Sequence, residues 1–184
     1  MRNGITLPPD SSNIAGERSR TDADRRHRLV LHGESDLPWL GLRISGIVSL
    51  ASGAAFNVTT GLDDNLDGIL TDRPDGVGRN SGEDTDLGTV NDLRQQYNSQ
   101  RQLNLSPIQD LDEPTFAQVD MRVSRAFAVA SGRGQGEMFI QIFNVLDRYN
   151  GGPIEGRVIA PDFGEPIGQV GPPRTFELGV RMAF

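Results

Sequence analysis

The chain ends with Phe176-Glu177-Leu178-Gly179-Val180-Arg181-Met182-Ala183-Phe184, a stretch in which apolar residues alternate with charged or small ones. Successive side chains of a β-strand point to opposite faces, so the alternation predicts a strand with one wholly apolar face. Two kinds of strand have this pattern. One crosses a lipid bilayer with lipid on its apolar side, and the other is half buried in an ordinary soluble core. The stretch by itself leaves both open.

The composition excludes several classes of protein. The chain has 184 residues, enough for one domain, and no cysteine, so neither a disulfide framework nor a thiolate metal site is predicted. It has no apolar run of the roughly 18 residues that a transmembrane helix requires. A transmembrane strand is still allowed, because such a strand exposes only every second residue to lipid.

The charges exclude further functions. All 18 basic residues are arginine, and the net charge is -7. A nucleic-acid partner is not expected, because the only basic cluster is Arg25-Arg26-His27-Arg28. His27 and His32 lack the spacing of metal ligands, and no Ser-His-Asp arrangement with supporting turns is present. The sequence therefore predicts that the protein is not an enzyme.

Four further stretches alternate in the same way. They lie at residues 26–37, 40–51, 116–127 and 137–147, and Phe56, Val58 and Thr60 are a predicted extension of the second. The alternation predicts that a set of charges shares the face opposite the apolar one. There we expect them to line a lumen and to pair with neighbouring charges or with a plug. These charges are Arg43, Asp120, Arg122, Glu137, Glu177 and Arg181.

The connections between these stretches alternate in length. They are short at 36–40 and 128–136 and long at 61–115 and 148–173. Transmembrane barrels have short periplasmic turns and long external loops, so this order favours a barrel over a soluble all-β domain. We predict an all-β fold, namely an antiparallel up-and-down transmembrane β-barrel segment of about five long strands with two long external loops. It is a partial barrel.

The predicted barrel segment covers residues 25–184, and residues 1–24 are predicted to be the remnant of another external loop. Aromatic residues belong at the membrane interfaces of barrels. Trp39, Phe127 and Phe184 all fall at the short-connection end of the predicted strands. We therefore expect an aromatic girdle at that end.

The long loop at 61–115 is acidic, with 12 Asp and Glu residues against four arginines. Part of it resembles the opening of a calcium loop, in which alternating side-chain oxygens converge on one hard cation. The candidate ligands are the side chains of Asp63, Asn65, Asp67 and Asp72 and the carbonyl of Ile69. The glutamate of a full EF-hand loop is missing, and the alternative is a simple Asp/Asn/Gly turn in solvent. Calcium is the one candidate cofactor.

Five motifs occur in an order that is similar to one known family. They are Asp24–Leu31 (D-x-R-H-R), Ser52–Gly61 (S-G-x-P-F-N-x-T-T-G, with Ala55 where proline is usual), Asp72–Asn80 (D-R-P-x-G-V-G-R-N), Val119–Phe127 and Phe143–Asn150. Together they resemble the carboxy-terminal part of the barrel of TonB-dependent outer-membrane receptors, in the Oar-like branch. The resemblance covers about residues 10 to 184.

The resemblance implies a barrel of about 22 strands with a plugged lumen, which takes up a large ligand with energy passed through TonB. The implied partners are outer-membrane lipid, the barrel-assembly machinery, and the rest of the receptor barrel with its plug. TonB itself would be contacted only through the plug. The apolar positions Phe176, Leu178, Val180, Met182 and Phe184 would form the signature that the assembly machinery reads.

This chain departs from the family plan, because it contains about five strands, no plug and no signal peptide. We therefore expect a fragment of a receptor in the bacterial outer membrane. Two alternatives remain. One is an adhesive or structural surface module whose acidic loops bind calcium, and the other is a soluble β-domain that binds a partner.

Overall fold

The computed structural model describes residues 8–9, 14–129 and 134–183. Five strands dominate it, with one helix and two short 3₁₀ turns at Ala15–Glu17 and Gly82–Asp84. The bounds are β1 Arg28–Leu37, β2 Leu42–Ala51, α1 Leu87–Arg101, β3 Phe116–Ala128, β4 Gln135–Phe143 and β5 Thr175–Ala183.

The five strands form one sheet in the order β1-β2-β3-β4-β5, and every neighbouring pair is antiparallel. The predicted all-β fold of about five long antiparallel strands is therefore confirmed, and it is consistent with part of an outer-membrane barrel. The strand ends differ from the predicted ones by a few residues. The largest shift is in β4, which ends at Phe143, because Asn144 adopts a left-handed backbone with a φ of 50°.

On one side of the sheet nearly all the side chains are apolar, and we call this side the apolar face. Residues directly opposite each other in an antiparallel ladder share a face, so the register connects this face across all five strands. One row, for example, joins Leu31, Val48 and Val119. The ladder residues of this face are Leu29, Leu31, Gly33, Ser35, Leu37, Leu42, Ile44, Gly46, Val48, Leu50, Ala117, Val119, Met121, Val123, Arg125, Phe127, Gly136, Met138, Ile140, Ile142, Phe176, Leu178, Val180 and Met182.

The opposite face, the polar face, carries the charges. The register places all six charges that we expected to face a lumen on it, namely Arg43, Asp120, Arg122, Glu137, Glu177 and Arg181. One row across the sheet runs from Glu34 through Ser45 and Arg122 to Gln141 and Glu177. The period-2 pattern of the sequence thus becomes two chemically opposite surfaces of the same sheet.

The strand connections alternate between short and long. Residues 38–41 and 129–134 form the short ones, and residues 52–115 and 144–174 form the long ones. In an up-and-down sheet both long connections leave from the same end, and both short ones from the other. The predicted turn at 128–136 lies partly outside the described residues. Phe184 of the predicted girdle lies outside them as well.

The chain divides into two compact units. The loop unit comprises Met1–Arg25, Gly53–Pro114 and Gly151–Gly168, and the sheet unit comprises Arg26–Ser52, Thr115–Asn150 and Gln169–Phe184. The loop unit contains the cluster of buried apolar residues Phe56, Val58, Val90, Tyr97, Leu105, Leu111, Ile154, Val158 and Phe163. The long connections therefore build a core of their own.

Two expectations are corrected by this core. The predicted extension of the second strand through Phe56, Val58 and Thr60 is wrong, because β2 ends at Ala51 and all three residues are buried in the loop unit. The acidic segment 61–115 also has more structure than its composition indicates, because it contains α1. In both places contacts with distant residues override the local pattern.

Helix α1 begins at a side-chain cap. The carboxylate of Asp86 accepts hydrogen bonds from the backbone N–H groups of Gly88 and Thr89, at 3.2 and 2.9 Å. These bonds satisfy N–H groups that have no partner within the helix, and they lower the pKa of Asp86. The helix ends where Gln102 takes a left-handed backbone. None of the described helices is long and apolar enough to cross a membrane.

Candidate functional site

The polar face carries ion pairs in the sheet unit. The Nε atom of Arg43 lies 2.8 Å from a carboxylate oxygen of Asp36, and Nη2 of Arg122 lies 3.1 Å from one of Glu137. The register also sets Arg181 directly opposite Glu137. Opposite charges on neighbouring strands stabilise each other. Arg43, Arg122, Glu137 and Arg181 thus lie on one face of the sheet, and the lumen that we expect them to line stays a prediction.

Asp120 and Glu177 complete the set of predicted charges. Asp120 accepts hydrogen bonds from the side-chain amide of Gln118 and from the backbone N–H of Asn144, both at 2.9 Å. It therefore helps to end β4. Glu177 lies opposite Gln141, on the same row as Arg122. The face mixes both signs of charge, so it suits polar groups and water better than a ligand of one strong charge.

A stack of side chains on the polar face fixes the position of β5. Phe139 lies opposite Gly179, and a Cβ atom added to Gly179 would lie 2.2 Å from the phenyl ring. Only glycine leaves room for the ring at this site. Above Phe139 lies the guanidinium of Arg122, 3.8 Å from the ring centroid, in a cation–π contact. The stack therefore joins three strands and ends in the ion pair of Arg122 with Glu137.

A second aromatic ring covers a glycine on the apolar face. Phe127 lies opposite Gly136, and a Cβ on that glycine would lie 2.2 Å from the ring. An aromatic ring over a cross-strand glycine helps to pin strand register. The sequence interpretation missed both pairs. A glycine at an alternating position was a visible signal, but only the register identifies its aromatic partner.

The motif Phe143–Asn150 has a structural role. Asn150 mimics a backbone partner for β3, because its amide both accepts from the N–H of Ala117 at 2.8 Å and donates to the carbonyl of Ala117 at 3.1 Å. Within the same motif, the carboxylate of Asp147 lies 2.8 Å from Nη2 of Arg174. The motif thus organises the start of the second long connection.

The motif Asp72–Asn80 binds the amino-terminal segment inside the loop unit. Arg73 makes a two-pronged ion pair with Glu17, at 2.6 and 2.9 Å, and this hydrogen-bonded pair lowers the pKa of Glu17. Asn80 is almost fully buried, and its side-chain amide donates to the carbonyl of Arg20 at 2.7 Å. The polar residues of this motif are consequently used for packing.

The loop unit encloses one arginine almost completely. Arg94 is 1 % exposed, and its guanidinium donates to the carbonyls of Ser106, Val158 and Ala160 at 2.7–2.9 Å. Phe163 covers it, with the ring centroid 5.9 Å from the guanidinium carbon. Burial lowers the pKa of Arg94 from its ordinary value. The arginine connects α1 to the segment 158–160 of the other long connection.

The candidate calcium ligands form a tight turn. Backbone N–H groups of residues 67 and 68 donate to the carboxylate of Asp63, at 2.9 Å each, and the N–H of residue 69 donates to Asp67 at 2.8 Å. Asp72 accepts from the N–H groups of residues 64 and 65, and Asn65 accepts from residue 67. These hydrogen bonds are typical of the simple Asp/Asn/Gly turn that was the alternative to a calcium loop. Within the described part of the chain, no group of three or more His, Asp or Glu side chains is arranged to hold a metal. The calcium site, with the carbonyl of Ile69, stays a prediction.

The predicted assembly signature lies on an edge strand. Phe176, Leu178, Val180 and Met182 all belong to β5, on the apolar face, and more than half of each side chain is exposed. The fifth residue of the signature, Phe184, lies outside the described residues. The structure brings the four described positions together in one apolar row along the edge of the sheet.

A long antiparallel sheet with an apolar face, an ion-paired polar face and alternating short and long connections defines the class of outer-membrane β-barrel proteins. The comparison with protein families agrees, because the family model described as an outer membrane beta barrel domain matches residues 2–177. The chain therefore belongs to that family. Searches of curated proteins and of solved structures found no match.

Proposed function

We propose that this chain is the carboxy-terminal barrel wall of a TonB-dependent receptor of the Oar-like branch, in the outer membrane of a Gram-negative bacterium. Family membership supports the barrel, and the five ordered motifs support the branch. The observation that carries the proposal is the pair of opposite faces on one sheet. Lipid would cover the apolar face, and a hydrated lumen would meet the polar face. The role is in transport rather than in catalysis.

The two unpaired edges of the sheet indicate that further β-strands pair with it. β1 and β5 lie at the edges, and unpaired backbone groups are expensive in hydrocarbon. The two edge strands run in the same direction, because four antiparallel steps separate them. If every remaining pair is antiparallel, an odd number of additional strands must lie between β5 and β1. The rest of a receptor barrel would supply them.

The amino-acid composition offers a direct test of the lipid and lumen faces. The chain has no cysteine, so each cysteine substitution introduces a single thiol. In membranes, we expect a water-soluble maleimide to label Glu177→Cys and not its neighbour Leu178→Cys. In the absence of lipid the Leu178 side chain is 79 % exposed. Equal labelling of both thiols in membranes would therefore contradict a lipid-facing apolar surface.

The receptor branch needs a separate test, because any barrel would pass the labelling experiment. We propose reading the DNA upstream of this coding sequence. An in-frame plug domain preceded by a signal peptide is the expected result. A stop codon and a promoter directly upstream would contradict the TonB-dependent role and leave an outer-membrane barrel protein of another kind.

A further inference from the structure

Arg125 is the only charged residue among the described ladder residues of the apolar face. It lies on β3 directly opposite Met138, which in turn is opposite Val180. Its side chain is exposed. An arginine on a surface that meets lipid is costly unless its guanidinium reaches the interface or binds an anion.

The guanidinium extends toward the short-connection end of the sheet. A Cβ atom on Gly41, in the connection from β1 to β2, would lie 3.7 Å from Nε of Arg125. The same connection carries Trp39, which is 76 % exposed. Tryptophan is typical of the level at which lipid headgroups lie, and long basic side chains bend toward that level. Arg125 therefore has the reach to place its charge among headgroups.

Arg125 is one of the residues that line a shallow groove on the apolar face. The groove has a volume of about 500 Å³, and its apolar lining includes Val123, Met138, Ile140, Leu178 and Val180. These side chains can contact a hydrocarbon chain, while Arg125 in the same lining offers a planar guanidinium that matches a phosphate. The groove and the cation together match the two halves of a phospholipid.

We propose that Arg125 and this groove bind one anionic phospholipid, with the headgroup phosphate on the guanidinium and an acyl chain along the groove. The proposal rests on the proposed membrane function, because the apolar face must meet lipid. Short connections lie on the periplasmic side of outer-membrane barrels, so the lipid comes from the inner leaflet. A headgroup of net negative charge is favoured over a zwitterionic one, which carries its own cation.

The single tryptophan of the chain makes the test specific, because Trp39 lies two residues from Gly41. The full chain is reconstituted into phosphatidylcholine vesicles that contain a minor fraction of lipid with brominated acyl chains, which quench tryptophan fluorescence. The brominated lipid is either phosphatidylglycerol or phosphatidylcholine. We expect about a five-fold preference for the anionic lipid near Trp39, the size expected for one basic residue near a membrane surface.

Three variants separate the site from general charge effects. Arg125→Gln should lose the preference, and Arg125→Lys should keep most of it. Arg43→Gln, which removes an arginine from the polar face next to the same short connection, should keep all of it. Circular dichroism should show equal strand content in all three. The proposal is overturned if Arg125→Gln retains the preference, or if wild-type protein is quenched equally by both lipids.

The remaining outcomes are equally decisive. Inorganic phosphate at constant ionic strength should leave the preference unchanged, and its loss would mean that the site takes free phosphate instead of a phospholipid. If neither brominated lipid quenches Trp39, the membrane function itself fails. That result differs from equal quenching by both lipids, which overturns only the phospholipid site.

Discussion

Phe163 in the loop unit is 2 % exposed, whereas Phe176 in the sheet unit is 65 % exposed. The contrast is general. All nine residues of the buried apolar cluster belong to the loop unit, whereas most of the apolar side chains in the sheet share one face, and many of them are exposed. One chain therefore contains a unit whose apolar residues are buried in a core and a unit whose apolar residues are exposed on one face of a sheet. The difference teaches that the exposed apolar surface of the sheet is not scattered, because the register continues it across five strands.

The largest expected effect comes from making the same substitution in both units. Phe163→Ala should lower the free energy of opening of the loop unit by about 3–5 kcal/mol, because it leaves a cavity beside Arg94. Phe176→Ala, the matched control, should leave the loop unit unchanged. Hydrogen exchange of the Val90 and Tyr97 amides in the full chain measures this opening. Similar losses from both substitutions would contradict the contrast between the units.

A smaller effect is expected from filling the space beneath an aromatic ring. Gly179→Ala forces its new methyl group against the Phe139 ring and should destabilise the pairing of β4 with β5 by about 1–3 kcal/mol. Gly33→Ala on β1 is the control, because nothing lies within 4 Å of a Cβ at that position. Folding in detergent micelles, followed by electrophoretic mobility without heating, compares the two. If the two variants fold equally well, the glycine does not set the register of β5.

The smallest expected effect is a change in how the stability of the loop unit depends on pH. The ion pair with Arg73 lowers the pKa of Glu17 below its ordinary value of 4.5. Its stabilisation is therefore complete above pH 4.5 and is lost as the pH falls through the lowered pKa of the folded protein. Glu17→Gln should cost about 1–2 kcal/mol at neutral pH and weaken the loss of stability in acid. Hydrogen exchange in the loop unit across this pH range measures both effects, and an unchanged acid profile would show that other carboxylates dominate.

The sequence predicted the sheet far better than the loop unit. Strand alternation is a local property with a period of two, so the faces of Leu178 and Glu177 follow from their neighbours in the chain. Helix α1 gave little signal, because its buried side is formed by Val90, Arg94 and Tyr97, and one of these is charged. The burial of an arginine can be predicted only when its carbonyl partners are known, and two of the three partners of Arg94 lie more than 60 residues away.

The sequence predicted which residues of the candidate site share a face, but it did not predict which of them are in contact. Arg43, Arg122 and Glu137 could be assigned to the polar face from alternation alone. The contacts of Arg122 with Phe139 and of Phe139 with Gly179 could not be predicted, because cross-strand partners depend on the register of the sheet. The same holds for Arg125, whose position on the apolar face is visible in the sequence but whose groove is lined by residues of four strands, β2 to β5.

The sequence by itself determined the alternating faces, the long acidic connection and the apolar row from Phe176 to Met182. These properties arise from side-chain chemistry at fixed local spacing. Only the tertiary structure decided the register of the sheet, the burial of Arg94 and the core that Phe56 and Val58 join in place of a longer strand. These properties depend on contacts between distant segments, in which shape and hydrogen bonding outweigh local preference.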